Sequence, residues 1–255
     1  MTEFSICDLK ILCIIPARSG SKGVPNKNIK LFRGQPLLSW SIQQSLALHK
    51  KFNMRTIVST DSQDYASIAK EYGAEVPFLR PESISGDYAT DLECFQHSLE
   101  WLENNEQYIP DIILHLRPTQ PLREISLIET CLHIFIKNVE SYDSLRTVIP
   151  IEKSPFKMYM IEDKMENKKH SSEKNKHEYL VPIMQNYKNI YEPYNQVRQI
   201  LPPCYLHNGY IDIIKIDTIK KNSVSGKNIY PYIMNSEDNI DIDTLEDWKR
   251  GEIII

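Results

Sequence analysis

No stretch of this 255-residue chain approaches the roughly 18 consecutive apolar residues of a membrane-crossing helix, which excludes a spanning segment. The opening MTEFSICDLK is acidic and polar, whereas a secretory leader is basic and then apolar, so no signal peptide is expected. Paired cysteines are missing as well. Cys7, Cys13, Cys94, Cys131 and Cys204 are scattered, with no CxxC and no Cys/His pairing. That excludes a zinc or disulfide framework and reads as the reduced thiols of a cytoplasmic protein. An excess of positive charge is lacking too: the net charge of −4 argues against nucleic acid as a partner. No internal repeat is present.

One absence is local. After Asp8 the next acid is Asp61, and between them stand Lys10, Arg18, Lys22, Lys27, Lys30, Arg33, Lys50, Lys51 and Arg55. Residues 1–8 carry −2 and residues 9–60 carry +9, which leaves −11 on the remainder. A cationic quarter on an acidic protein points to a local anion site rather than a generally basic surface. Its densest part is IIPARSGSKGVPNKN, Ile14 to Asn28, where cations and two glycines follow an apolar run.

What is present is a chain with 41% hydrophobic residues, long enough for one sizeable core and a small appended lobe. Its first 150 residues alternate between two periodicities. Strands are expected at Lys10–Pro16, Arg55–Thr60, Glu75–Leu79, Asp111–Leu116 and Ser144–Ile149. Helices are expected at Pro36–Lys50, at Gln63–Tyr72 closed by Gly73, at Thr90–Leu102 and at Ser126–Val139. Thr90 and Glu93 have the spacing of a capping box. This rhythm implies an α/β fold with an open, mostly parallel sheet flanked by helices, whose ligands sit beyond the carboxyl ends of the strands.

The rhythm stops after residue 150. Residues 151–203 hold no long helical stripe but many tyrosines and a charged tip, EDKMENKKHSSEKNKHE, and read as an inserted lobe. Strands resume in NGYIDIIKI and IYPYIM, and a last helix follows DIDT with Thr244 as its cap. Residues 1–150 and 204–255 are thus expected to form one domain around an insert at 151–203. Trp40, Trp101 and Trp248 are expected to pack helices onto the core, and His97, His115 and His133 to ligate nothing.

The cationic loop is not a known phosphate grip. It lacks the Walker pattern, and Gly20 with Gly23 supplies only part of a dinucleotide fingerprint, with the helix starting more than ten residues later. A long irregular loop can still wrap a polyphosphate with backbone N–H groups, Arg18 as a planar fork and Lys22 as a mobile point charge. Asn28 has both a donor and an acceptor, which suits a base or sugar hydroxyl. In DIDT, extended backbone puts the carboxylates of Asp241 and Asp243 on one side. Two hard oxygen ligands suit Mg²⁺, which takes its remaining ligands from water and phosphates. Together the two motifs read as nucleotidyl transfer.

The segments IIPARSGSKGVPNKN, IVSTD, RPESISGD, LRPTQPLR, HNG and DIDTLEDW occur in order. In this the chain resembles the acylneuraminate cytidylyltransferases, with their legionaminate and pseudaminate relatives, from about Lys10 to Trp248. The resemblance implies a cytoplasmic homodimer serving surface polysaccharide synthesis. Its insert would be the dimerisation lobe, and CTP, Mg²⁺ and a nine-carbon 2-keto sugar acid would be its reactants. It implies that Arg18, Ser21 and Lys22 hold the triphosphate, that Lys27 and Asn28 lie near the nucleotide, and that Arg80 and Thr90 lie near the cytosine, with Asp87 in the same segment. Asp241 and Asp243 would ligate the metal, and Arg18 and Lys22 would join them in catalysis. Lys157 and Arg198 match cations that face the sugar acid, and Arg117, Gln120, His207 and Asn208 fall on the same acceptor side. Arg117 stands where many relatives have Gln, Gln120 where Ser is common, and His207 where many have Arg. These departures bear on the sugar more than on the reaction. A CMP-Kdo synthetase, another sugar nucleotidyltransferase, or a nucleotide-binding homologue without chemistry are the alternatives.

Overall fold

A computed structural model describes residues 9–166, 175–235 and 240–253 of the chain. The N-terminal segment with Cys7 and residues 167–174 of the charged tip lie outside the described residues. The chain divides into two compact units, Met1–Val148 with His207–Ile255, and Ile149–Leu206.

In the first unit, β1 (Ile11–Pro16) is followed by a small hairpin, β2 (Leu31–Phe32) and β3 (Gln35–Pro36), then α1 (Leu37–Leu46), β4 (Met54–Ser59) and α2 (Gln63–Glu71). Next come α3 (Asp91–Glu106), β5 (Ile112–His115), α4 (Ile125–Lys137) and β6 (Ser144–Pro150). The insert contributes β7 (Tyr159–Glu166), β8 (Asn175–Pro182), β9 (Asn186–Tyr187) and β10 (Ile190–Tyr191). The chain closes with β11 (Tyr205–Lys215), α5 (Ile216–Lys220), β12 (Ile229–Ile233) and α6 (Leu245–Ile253).

Six strands form the main sheet in the order β12-β6-β11-β5-β1-β4. β1 runs parallel to both its neighbours, with Ile11 beside Met54 and Ile112, while β11 is antiparallel to β5. A strand covered on both faces needs side chains that are apolar on both. β1 meets that need, since Ile11 through Ile15 are all fully buried. The chain leaves β1 for β4 on one side and then returns to β5 on the other. The β1/β5 crevice is therefore the switch point of the sheet, where loops diverge and leave room for a ligand.

Several sequence expectations hold in detail. Thr90 caps α3 in a reciprocal capping box with Glu93, and Ser62 caps α2. Thr244 accepts from the Asp247 N–H at 3.2 Å while Asp247 accepts from the Thr244 N–H at 2.8 Å, which starts α6. Trp248 is buried edge-on to Phe32, with ring centroids 5.6 Å apart. Two expectations need correction. Glu75–Leu79 is no strand: Glu75 alone bridges to Ile57, because Pro77 has no N–H to continue the ladder. And α1 ends at Leu46, short of Lys50, where the Leu48 N–H turns to Ser45 and tightens the last turn.

In the second unit, β7 and β8 form an antiparallel hairpin that pairs Tyr159 with Pro182 and Ile161 with Leu180. Phe156 is buried there, 4.9 Å from the Tyr187 ring. Ile161, Leu180, Tyr191 and Val197 are each more than 60% exposed, an unusual apolar load for so small a unit.

Candidate active site

The cationic loop begins where β1 ends, and its shape has three causes. Ser19 donates its backbone N–H (2.8 Å) and its hydroxyl (2.6 Å) to the two oxygens of Asp61, which follows β4. The buried Asn28 amide donates to the Arg18 carbonyl at 3.0 Å. Gly23 lets the loop lie on the DIDT segment, since a β-carbon there would overlap the Asp243 carbonyl oxygen. Lys27 completes the junction with a 2.7 Å ion pair to Asp243. The loop and the second carboxylate of the pair therefore face one another directly.

They share a cavity of about 450 Å³. Arg18, Ser21, Lys22, Lys27 and Asn28 line it from the loop, and Asp243 from the other side. His115, Arg117 and Thr119 contribute from the carboxyl end of β5, and Asp91 from the first turn of α3. This is the switch-point crevice.

The loop cations that line the cavity are paired with carboxylates, Lys27 with Asp243 and the other two with Asp87. Asp87 bridges two loop cations, 3.2 Å from Arg18 Nη1 and 2.5 Å from Lys22 Nζ. The Lys22 ammonium, with Arg18 behind it, holds the Asp87 carboxyl below the usual range. Asp241 behaves oppositely. Burial pushes its carboxyl up and the neighbouring Asp243 charge adds to this, against a hydrogen bond from Thr119. Its Oδ1 is buried without a hydrogen-bond partner among the described residues.

Other expected site residues lie off the cavity wall. Arg80 is buried and turned to the end of β4, its Nε 3.0 Å from Ser59 Oγ and its Nη2 on the Ser59 carbonyl. The Thr90 hydroxyl is committed to Glu93 at 2.8 Å. Gln120 donates to the Asn208 carbonyl at 2.9 Å, and Asn208 accepts from Thr147 Oγ1 at 2.7 Å. Both are buried and shape the wall from behind. His207 is bonded to Asp212 at 2.8 Å. Lys157 and Arg198 belong to the Ile149–Leu206 unit, in which Arg198 lines a cleft of about 340 Å³ with Glu152 and Ser154.

Arg117 does line the cavity, yet not as an unpaired cation. Nη1 donates to Asp212 at 2.6 Å and Nη2 to Asp91 at 3.1 Å. Burial alone would lower the guanidinium pKa, but the two carboxylates outweigh it and raise it. His115, buried 4.9 Å from the Phe95 ring, is pushed down to about 3 by burial and stays neutral.

Sequence reasoning missed Asp61, Asp91, Thr119 and Asp212. Asp61 carried a signal, as the acid that ends the long acid-free stretch. Arg123, at the end of LRPTQPLR, was also missed. It gathers the loop after β5 by donating to the carbonyls of Arg117 at 2.5 Å and Gln120 at 2.7 Å.

A sequence model of the family described as cytidylyltransferase matches residues 12–223. Over 248 residues the chain is 32% identical to post-translational flagellin modification protein B of Campylobacter coli, covering 96% of this chain and 95% of that one. It is 31% identical over 247 residues to CMP-N,N'-diacetyllegionaminic acid synthase of Campylobacter jejuni, with 96% and 95% covered. With a pseudaminic acid cytidylyltransferase of Campylobacter jejuni it shares 37% identity over 134 residues, 52% of this chain and 56% of that one. Its fold matches CMP:2-keto-3-deoxy-manno-octonic acid synthetase in complex with CTP, at a TM-score of 0.63 and 15% identity over 95% of this chain and 97% of that one.

Proposed function

The chain belongs to the cytidylyltransferase family, and we infer that it activates a nonulosonic acid with CTP, forming the CMP-sugar and pyrophosphate. The observation that carries this reading is the shared cavity in which Gly23 rests on Asp243. Through it, a cationic loop suited to a triphosphate meets Asp243, the cavity-lining member of a carboxylate pair suited to a metal. The likeness to the octonic acid synthetase, at 15% identity, supports the fold alone and gives no preference for that sugar.

The reaction is a single in-line displacement. The anomeric hydroxyl of a nine-carbon 2-keto sugar acid forms a bond to the α-phosphorus, and the bond from that phosphorus to pyrophosphate breaks. Arg18, Ser21 and Lys22 bind and orient the triphosphate, and Lys22 stabilises the departing pyrophosphate. Asp87 now occupies both cations with its carboxylate, so the nucleotide must displace it. Lys27 and Asn28 flank the nucleotide. The hydroxyl proton leaves to Asp241, to Asp243 or to water. On the acceptor side, Lys157 and Arg198 pair with the sugar carboxylate, and the sugar KM of Arg198→Ala tests that role.

The residues present fit Mg²⁺. A half-buried carboxylate with an orphaned oxygen, crowded by a second carboxylate, is an arrangement that a hard dication relieves. Among the described residues no cluster of three or more His, Cys, Asp or Glu could hold a metal, so its remaining ligands would have to be phosphate and water. Asp241 and Asp243 would hold it, and when bound it supplies Lewis-acid charge to the phosphate oxygens.

The protein works in the cytoplasm as a homodimer on this reading. The exposed Ile161, Leu180, Tyr191 and Val197 of the second unit support a subunit interface there, which sedimentation equilibrium reads directly. No helix among the described residues is long and apolar enough to cross a membrane. The deciding assay is pyrophosphate release from CTP, with and without N-acetylneuraminate, diacetyllegionaminate or pseudaminate. Release that requires one of these acids is expected. Release with none of them would overturn the function.

A further inference from the structure

Asp212 sits on β11 directly across from His115 on β5 and is 1% exposed. Four side chains converge on its carboxylate. They are Arg117 Nη1 at 2.6 Å, His207 Nε2 at 2.8 Å, Arg146 Nε at 3.4 Å and His115 Nδ1 at 3.7 Å. Arg117 and His207 are physically linked through this one buried anion.

Arg117 is the member that reaches the cavity, and it is held at three points. Asp212 takes Nη1, the Gly209 carbonyl lies 3.3 Å from the same nitrogen, and Asp91 takes Nη2 at 3.1 Å. Gly209 has φ +66°, and a β-carbon there would come within 3.3 Å of Arg117 Cδ, so the arm crosses a place kept clear by glycine. The charges of Arg117 and Arg146 are cancelled by those of Asp91 and Asp212. A compensated, planar guanidinium is a poor partner for a carboxylate. It is a good partner for neutral polar groups that need donors at fixed positions.

We propose that Asp212, held from behind by His207, is a positioning residue for acceptor selection: it fixes Arg117 in the cavity wall so that this arm recognises hydroxyl and acylamino substituents of the sugar rather than its carboxylate. The proposal rests on the function inferred above and deepens it. Asp212 does not line the cavity and acts through Arg117.

The test is steady-state kinetics of the full chain with CTP and N-acetylneuraminate, diacetyllegionaminate or pseudaminate. Asp212→Asn is expected to raise the acceptor KM at least about tenfold, the scale of one lost hydrogen bond between charged groups, with the CTP KM unchanged. Combining it with Arg117→Gln is expected to recover part of the loss, because a glutamine needs no buried anion. A parallel rise in both KM values, or a double variant whose defect is the product of the two single defects, would overturn the proposal. If Asp212→Asn does not fold, Arg117→Gln alone carries the test. It should alter the ranking of the three acceptors, and an unchanged ranking overturns the proposal. A wild-type chain inactive with all three acids would instead overturn the function and this inference with it.

Discussion

The opposed environments of Asp241 and Asp87 show how single residues divide the chemistry. Among the described residues Asp241 keeps a buried oxygen without a partner, an unsatisfied demand for positive charge. Asp87 does the reverse and pairs with both Arg18 and Lys22. Lys22→Ala and Asp241→Ala are each expected to cut turnover by about two orders of magnitude or more, the usual cost of removing a transition-state charge stabiliser. Pyrophosphate release measures both, and a near-normal rate in either variant removes its assigned role. Asp87→Asn should lower the CTP KM, because the triphosphate then displaces a neutral amide rather than a carboxylate. A raised CTP KM would show that Asp87 itself holds the nucleotide.

At the scale of elements, the site is made by two loops that must touch. β1 delivers one and the segment before α6 delivers the other, and Gly23 is the point of closest approach. Gly23→Ala would force the loop off Asp243. Turnover is expected to fall at least about tenfold while stability changes by about 1–3 kcal/mol, the range for overpacking. Urea unfolding separates the two effects: a variant with full activity would mean that the contact is dispensable. α3 is a second case. Its capping box fixes the first turn, and that turn presents Asp91 to Arg117. The Thr90–Glu93 spacing gave the cap away in the sequence. Nothing in the sequence paired Asp91 with a residue 26 positions later, because no local pattern specifies a contact between a helix start and a strand end.

The whole molecule carries a pH dependence with a definite sign. The carboxyl of Asp212 is held well below the usual range: burial alone would raise it, but the His207 hydrogen bond and the Arg117 charge outweigh burial. Asp91 is lowered in the same manner, against burial, by the charge and hydrogen bond of Arg117, since His115 is neutral. A lowered folded pKa gives stability that is complete above the unfolded value of about 3.9 and is lost as the pH falls through the folded one. Asp241 has the opposite sign, since its raised carboxyl is relieved by protonation. The urea midpoint is therefore expected to be level near neutrality and to fall below about pH 4. Asp212→Asn should be less stable near neutrality and have a flatter acid limb. An unchanged acid limb would mean that the buried network does not set acid stability.

The sequence by itself determined the alternating core, the cationic loop, the twin aspartates and the family. Each of these is written in neighbouring residues, as a run, a periodicity or a short motif. Ile11 to Ile15 had to be central because a strand buried on both faces has no use for polar side chains. Only the tertiary structure decided that Gly23 lies on Asp243, that Arg80, Gln120 and Asn208 are buried off the cavity lining, and that Arg117 is spent on two carboxylates. The physical reason is range. Periodicity and caps act over a few residues, whereas the pairing of buried charges joins β5 to β11 and α3 across the sheet, where only the packed chain sets who meets whom.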